Sequence, residues 1–475
     1  DLRTQLSAFL THLEGPVAVR SSSLLEDAAH KPYAGLYDTY FLSNDAPNMD
    51  TRLAQLAQAI KRVYASTYFK APKAFSRRVG NRIESEKMAV IVQRLVGRRH
   101  NAHFYPAISG VAQSENYYPF GRMQPADGIA SIALGLGKTV MEGEKNLTFC
   151  PRYPHMLPQR TTVDDILDQA QTRFYALKMD AAVHPLDMDE SATLVARHVA
   201  DAANEDPVRF LTSTYLPDEH RIRNGHAGGG HPVLTFAAVL KYSTFPLAEV
   251  LGELLDFGRQ ELDCPVEIEF AVDLPVKATD HARLAVLQIR PMGAREASIK
   301  VEVDTGDRTR AVCLSHQALG NTIETDLTDI VYVRPDRFDP AATVEVAREI
   351  ARHNARLVQA QRKYLLIGPG RWGSADRWLG IPVSWSDICG VGAIVETTDP
   401  RMNAAPSHGS HFFHNIASLG IGYLNVGTCP DDRMNWDWLA ALEADQATPY
   451  VIHARCRPGV TLMVDGRIGQ GIVLP

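Results

Sequence analysis

Cysteine is scarce in this 475-residue chain and never closely paired: the six residues stand at 150, 264, 313, 389, 429 and 456, with no CxxC unit. That spacing excludes a zinc knuckle, offers no obvious disulfide scaffold, and fits a reducing cytoplasm. Long hydrophobic runs are missing as well. No stretch approaches the ~18 consecutive apolar residues of a membrane span, and no basic-then-apolar leader opens the chain. Positive charge is not in excess: the net charge is −6, acids and bases are interspersed, and no Lys/Arg run is longer than the one around Arg98-Arg99. A nucleic-acid partner, which needs a basic face to displace counterions from phosphates, is therefore not expected. Internal repeats and low-complexity segments are absent too. What is present is enough apolar residue for real cores and, on the length prior, material for about three domains. The expectation is a soluble, cytoplasmic, globular protein with no membrane contact. Because the chain opens on Asp1 rather than Met, a fragment or processed product is expected.

Periodicity gives a coarse layout. Leu53, Leu56, Ile60, Val63 and Tyr64 recur at helical spacing with Lys61 and Arg62 opposite, so 50–68 is expected to be an amphipathic helix. Helices are also expected over 164–177, 246–257 and 343–362. The β-branched content of 88–96 (MAVIVQRLV) marks a buried strand, and 109–114 a strand returning after a turn. Three consecutive glycines make 224–232 a loop, and the Pro- and aromatic-rich 150–158 reads as a linker. The character of the chain changes after Met292, with 293–300 as the expected boundary. A first domain over 1–295 and a mixed α/β second domain over 300–475 follow from it.

Two distant segments carry the chemistry: VAVRSSSLLED at 17–27, and VEIEF with VLQIRPM between 266 and 292. Glu267 and Glu269 alternate with Val266, Ile268 and Phe270, which is strand spacing. The carboxylates then project from one face roughly 7 Å apart while the apolar residues face a core. Gln288 and Arg290 repeat the alternation on what would be a neighbouring strand. Val17 and Val19 set Arg20 at the end of a buried strand, before three serines whose hydroxyls and N–H groups can meet phosphate oxygens. Paired acids, an amide and guanidiniums suit a Mg²⁺ held by carboxylates and nucleotide phosphates. Blander readings compete: a surface ion pair for Arg20, and a solvated face of an edge strand for the two acids.

Other motifs weaken on inspection. The run Gly135-Leu136-Gly137-Lys138-Thr139 lacks the glycine at 132 that a Walker A loop needs, and the glycine at 140 of a dinucleotide fingerprint. It reads as a tight turn with no ligand. The run GPGRWGS, Gly368 to Ser374, reads as a structural turn, since Pro369 removes an N–H and Trp372 signals packing. His408, His411 and His414 recur every third residue, but the first and last diverge around a helix, so a three-histidine metal site is not expected.

In order, VAVRSSSLLED, PYAGLYDTY at 32–40, MAVIVQRLV, SGVAQS, GLGKTVMEG, VEIEF and VLQIRP resemble landmarks of the N-terminal nucleotide-binding domain of phosphoenolpyruvate synthases and pyruvate phosphate dikinases. The resemblance covers about 15–292. It implies an α/β fold in which an ATP-grasp domain precedes the mixed α/β second domain. It also implies a Mg²⁺-dependent phosphotransferase that passes phosphate from ATP through a histidine to a small acceptor, pyruvate by analogy only. Carried onto this sequence, Arg20 meets the polyphosphate, Glu267 and Glu269 hold Mg²⁺, and Gln288 and Arg290 complete the phosphate and metal site. Gln93 runs past the adenine, and Gly35 belongs to a loop closing over the terminal phosphates. Two departures stand out. Lys138 occupies a position where the family usually has an acid, and no lysine-bearing GGK motif precedes Gly15. The ATP-grasp domain is accordingly expected to be incomplete at its N-terminus, with the missing segment in a parent chain.

The relatives continue into a small swivelling domain whose phosphorylated histidine lies in a pattern like TSHAAIVARELGIP. Ser410-His411, followed by Leu419-Gly420-Ile421, matches that spacing, although Phe412 and Phe413 replace small residues. Ala417 also stands where an Arg is expected, so His411 is the candidate phosphoryl carrier, with a structural histidine in an aromatic-rich turn as the favoured competing reading. An ATP-sensing module without phosphotransfer is the alternative function.

Overall fold

The protein is described by a computed structural model over residues 2–23, 26, 35–79, 86–157, 161–179, 190–225, 229–274, 281–292, 305–402, 404, 411–466 and 468–475. The expected boundary at 293–300, His408 and Ser410 lie outside the described residues. The first strand, β1 (Val17–Ser23), pairs antiparallel with β2 (Tyr40–Leu42) on one side and β3 (Met88–Arg94) on the other. Across it lies α1 (Met49–Ser66), close to the span the periodicity predicts. Asn48 starts this helix by accepting the Asp50 N–H. Leu53, Leu56, Ala59 and Val63 bury one stripe against Val17, Val19 and Leu42. Each such Leu or Val contributes about 1.5–3 kcal/mol by leaving water, so packing rather than intrinsic propensity holds the helix.

A second layer is a five-stranded antiparallel sheet. Its members are β4 (Ile108–Gln113), β5 (Ile129–Ala133), β6 (Leu147–Phe149), β7 (Val266–Asp273) and β8 (Arg283–Pro291), in the order β8-β7-β4-β5-β6. Between β5 and β6 runs a single helical turn, α2 (Lys138–Met141). The helix α3 (Leu247–Leu262) precedes β7 and packs Leu247, Leu251 and Leu255 with Val266, Ile268 and Phe270. The other face of β7 carries Glu267 and Glu269, as their alternation predicts. Both acids are buried, and β7 lies between β8 and β4, which rules out the solvated edge-strand reading. Three expectations fail. Arg20, expected at a strand's end, sits in the middle of β1, because the serines after it continue the strand. The strand expected to be buried at 88–96 forms as β3, but none of its side chains is fully buried and Ile91 is exposed. Residues 164–177 divide into a helix at Val163–Gln169 and a strand at Arg173–Lys178, because Phe174 and Ala176 enter the core with a period of two.

The C-terminal part is built on a ten-stranded mixed sheet drawn entirely from strands at and after Cys313. At its centre β9 (Asn321–Val333), β10 (Tyr364–Pro369), β11 (Val391–Thr397) and β12 (Gly422–Val426) run parallel and side by side. Parallel strands are covered on both faces, and here Leu366 and Ile394 point into one core while Leu365, Ile367 and Val395 point into another. The crossover helix α4 (Thr343–Gln359) packs Val346, Ile350 and Leu357 into the first of these. Leu36, Tyr37 and Phe75 from the N-terminal part join the same core, so the two parts share apolar packing. A short helix, α5 (His411–Ser418), leads into β12 and contributes Ile416 to it. The whole is of mixed α/β type. Among the described residues no helix is long and apolar enough to cross a membrane.

Candidate functional site

The carboxylate face of β7 meets β1 across the gap between the β1 sheet and the five-stranded sheet. Arg20 projects from β1 and brings both terminal nitrogens to 3.5 Å from Glu269 Oε2, while Nη2 donates to Gln288 Oε1 at 2.5 Å. The two segments that the sequence separates by about 250 residues therefore meet side chain to side chain. Behind Glu269, Arg290 Nε and Nη2 donate to Glu267 Oε1 at 2.8 and 2.5 Å, and Nη2 lies 3.1 Å from Glu269 Oε1. Burial pushes the Glu267 carboxyl up, but Arg290 and then His414 outweigh it and hold it well below the usual carboxylate range. The reciprocal effect keeps Arg290 above its ordinary value despite its own burial.

The two acids are not equivalent. Glu267 is 2 % exposed, and its second oxygen accepts from Gln113 Nε2 at 2.7 Å and lies 3.4 Å from His414 Nδ1. Glu269, at 8 %, is the one that borders an open cavity of about 530 Å³. Arg20, Gly35, Gln93 and His411 line the same cavity. Gln93 Nε2 donates to the Leu287 carbonyl at 3.4 Å, which ties β3 to β8 at the cavity wall. The serines after Arg20 divide by face. Ser21 and Ser23 are buried on the opposite side, where Ser21 Oγ donates to Glu26 at 2.6 Å and Ser23 Oγ accepts the Glu26 N–H at 3.2 Å. They brace an acid rather than face the cavity.

The C-terminal part supplies a wall of its own. His411 and His414 lie one turn apart on α5: the first lines the cavity and the second reaches Glu267. The His411 imidazole pKa is pulled down to about 4, first by burial and then by the Arg290 charge, so the ring is neutral near pH 7. It packs against Gly35, whose φ of +65° suits glycine and whose missing side chain makes the room, since a Cβ there would overlap His411 Nδ1. Opposite, Leu136, Gly137, Lys138 and Glu142 also line the cavity. The Gly-rich turn read as ligand-free thus belongs to its wall, with Lys138 paired to Glu142 and stacked on the Tyr175 ring.

Sequence reasoning missed three of these groups as site members. Gln113 and Glu142 carry no local signal, since strand register alone brings Gln113 opposite Glu267. His414 did carry one, its spacing of three from His411. An oxygen donor suited to Mg²⁺ borders the cavity in Glu269, while Gln288 does not line it and its side-chain oxygen accepts from Arg20. Among the described residues, no group of three or more His, Cys, Asp or Glu side chains is arranged to hold a metal ion unaided. The donor set fits a cation that takes its remaining ligands from substrate phosphates.

In this mixed α/β chain a cationic and acidic cluster walls a cavity between two antiparallel sheets, a chemistry suited to a ligand that carries phosphate. More narrowly, the chain belongs to the family of the pyruvate phosphate dikinase AMP/ATP-binding domain, whose model matches residues 1–311. No curated protein matches the chain.

Proposed function

We propose that residues 1–295 form an ATP-grasp domain that binds Mg·ATP in the 530 Å³ cavity, and that a phosphoryl group passes from the nucleotide to His411 and then to a small acceptor. The observation that carries this reading is that His411 lines one cavity with Arg20 and Glu269, where burial favours its neutral imidazole. A neutral ring keeps a nitrogen lone pair for attack on phosphorus. The N–P bond forms as the P–O bond to the leaving nucleotide breaks, and Arg20 neutralises charge on the polyphosphate oxygens. Glu269 and Gln288 would hold a Mg²⁺, with Glu267 and Arg290 behind them fixing the carboxylate face. When bound, the cation supplies charge neutralisation along the polyphosphate. Gln93 lies along the adenine, and Gly35 leaves the opening through which His411 approaches.

Mass spectrometry after incubation with Mg·ATP tests it. A gain of about 80 Da on His411, lost in His411→Ala, is the expected result. One observation favours a second reading, an ATP sensor without transfer: Glu267 is fully engaged by Arg290, Gln113 and His414, which suits a static site. Nucleotide binding without adduct or ATP consumption would establish that alternative.

A further inference from the structure

The GPGRWGS run lies against the cavity wall rather than forming an isolated turn. After β10 the chain turns at Gly370, φ +67°, and reaches the C-terminal end of α2 with three hydrogen bonds. Arg371 Nη1 donates to the Gly143 carbonyl at 3.1 Å, Ser374 Oγ donates to the same oxygen at 3.0 Å, and the Ala375 N–H donates to the Glu142 carbonyl at 3.0 Å. α2 closes its own carbonyls, with the Glu142, Gly143 and Glu144 N–H groups donating to Lys138, Val140 and Thr139, but a single turn is too short to be stable alone. α2 has four residues, and its Lys138 and Met141, with the adjoining Glu142, line the cavity. The loop itself is firmly based, because the Trp372 N–H donates to the buried Glu396 at 2.8 Å. Its far side touches α5: a Cβ on Gly373 would overlap the ring of Phe412, the neighbour of His411. One loop therefore contacts both the α2 wall and the histidine helix.

We propose that Arg371 and Ser374 are positioning residues that hold the turn just past α2 through the Gly143 carbonyl, fixing the Lys138–Glu142 wall for the nucleotide and tying it to the helix that carries His411. The inference rests on the nucleotide-binding reading of the cavity. It predicts that nucleotide affinity is set partly by residues that never touch nucleotide.

The test uses the full chain, a non-hydrolysable ATP analogue with Mg²⁺, and calorimetry. Arg371→Gln is expected to weaken binding about tenfold and Ser374→Ala roughly threefold, the scale of one lost hydrogen bond with and without charge. Arg371→Lys, which keeps a cationic donor, recovers part of the loss. Amide hydrogen exchange over 138–143 quickens in the same order. A purely structural role would lower the melting temperature and leave affinity and exchange at 138–143 untouched, and that result overturns the inference. Should Arg371→Gln fail to fold, Ser374→Ala decides on the same two readouts. Wild-type binding matched by every variant refutes this inference alone, whereas a wild-type chain that binds no analogue refutes the functional reading along with it.

Discussion

Arg290→Met isolates what the buried ion pair contributes. The guanidinium is 4 % exposed and supplies both hydrogen bonds to Glu267 Oε1, at 2.8 and 2.5 Å, besides its contact with Glu269. Without it, Glu267 keeps only Gln113 and His414 around a carboxylate that water does not reach. Stranding a buried charge in this way costs about 3–5 kcal/mol, far more than the pair contributes relative to an apolar replacement. Adding Glu267→Gln removes the stranded charge and should return most of the loss. The pH dependence has a definite sign. In Arg290→Met the folded Glu267 pKa rises above its unfolded value, so the deficit is greatest at neutral pH and shrinks as acid protonates the carboxyl. Urea unfolding of wild type, Arg290→Met and the double variant at pH 7 and pH 5 measures all of this. A loss below about 1 kcal/mol at pH 7, or a double variant no more stable than the single, would refute the reasoning.

Two further outcomes are expected. Glu269→Gln should weaken binding of Mg·ATP more than binding of metal-free ATP, as followed by calorimetry with and without a chelator; equal losses would remove Glu269 as a metal ligand. His353 on α4 is 2 % exposed, neither ring nitrogen has a hydrogen-bond partner among the described residues, and its pKa is lowered from 6.5 to about 4 by burial and then by His453. Between those values the unfolded chain binds a proton that the folded chain refuses, so its contribution is complete above pH 6.5 and fades as pH falls toward 4. The full effect is about 3 kcal/mol. His353→Leu should flatten the acid side of the stability profile, and an unchanged profile would show that the residue is not the source.

What local pattern determined is considerable. The helix at Met49–Ser66, the strand bearing Glu267 and Glu269, and the alternation that sets both acids on one face follow from periods of 3.6 and 2, which neighbouring residues alone express. The resemblance drawn from seven ordered segments points to the same family that the match over residues 1–311 establishes. Residues 164–177 were misjudged because a short apolar run suits either a helix or a strand until its partner is known.

Only tertiary structure decided how the two acids differ. Alternation along a strand makes Glu267 and Glu269 look alike, yet one is enclosed by Arg290, Gln113 and His414 while the other borders the cavity. That difference comes from strand register and from a helix arriving from the other end of the chain, neither of which leaves a local trace in the residues concerned. The same holds for the Gly-rich turn at Lys138 and the GPGRWGS run, each an ordinary turn by itself. Their roles arise because a single helical turn does not hold its place alone and a distant loop grips the turn that follows it.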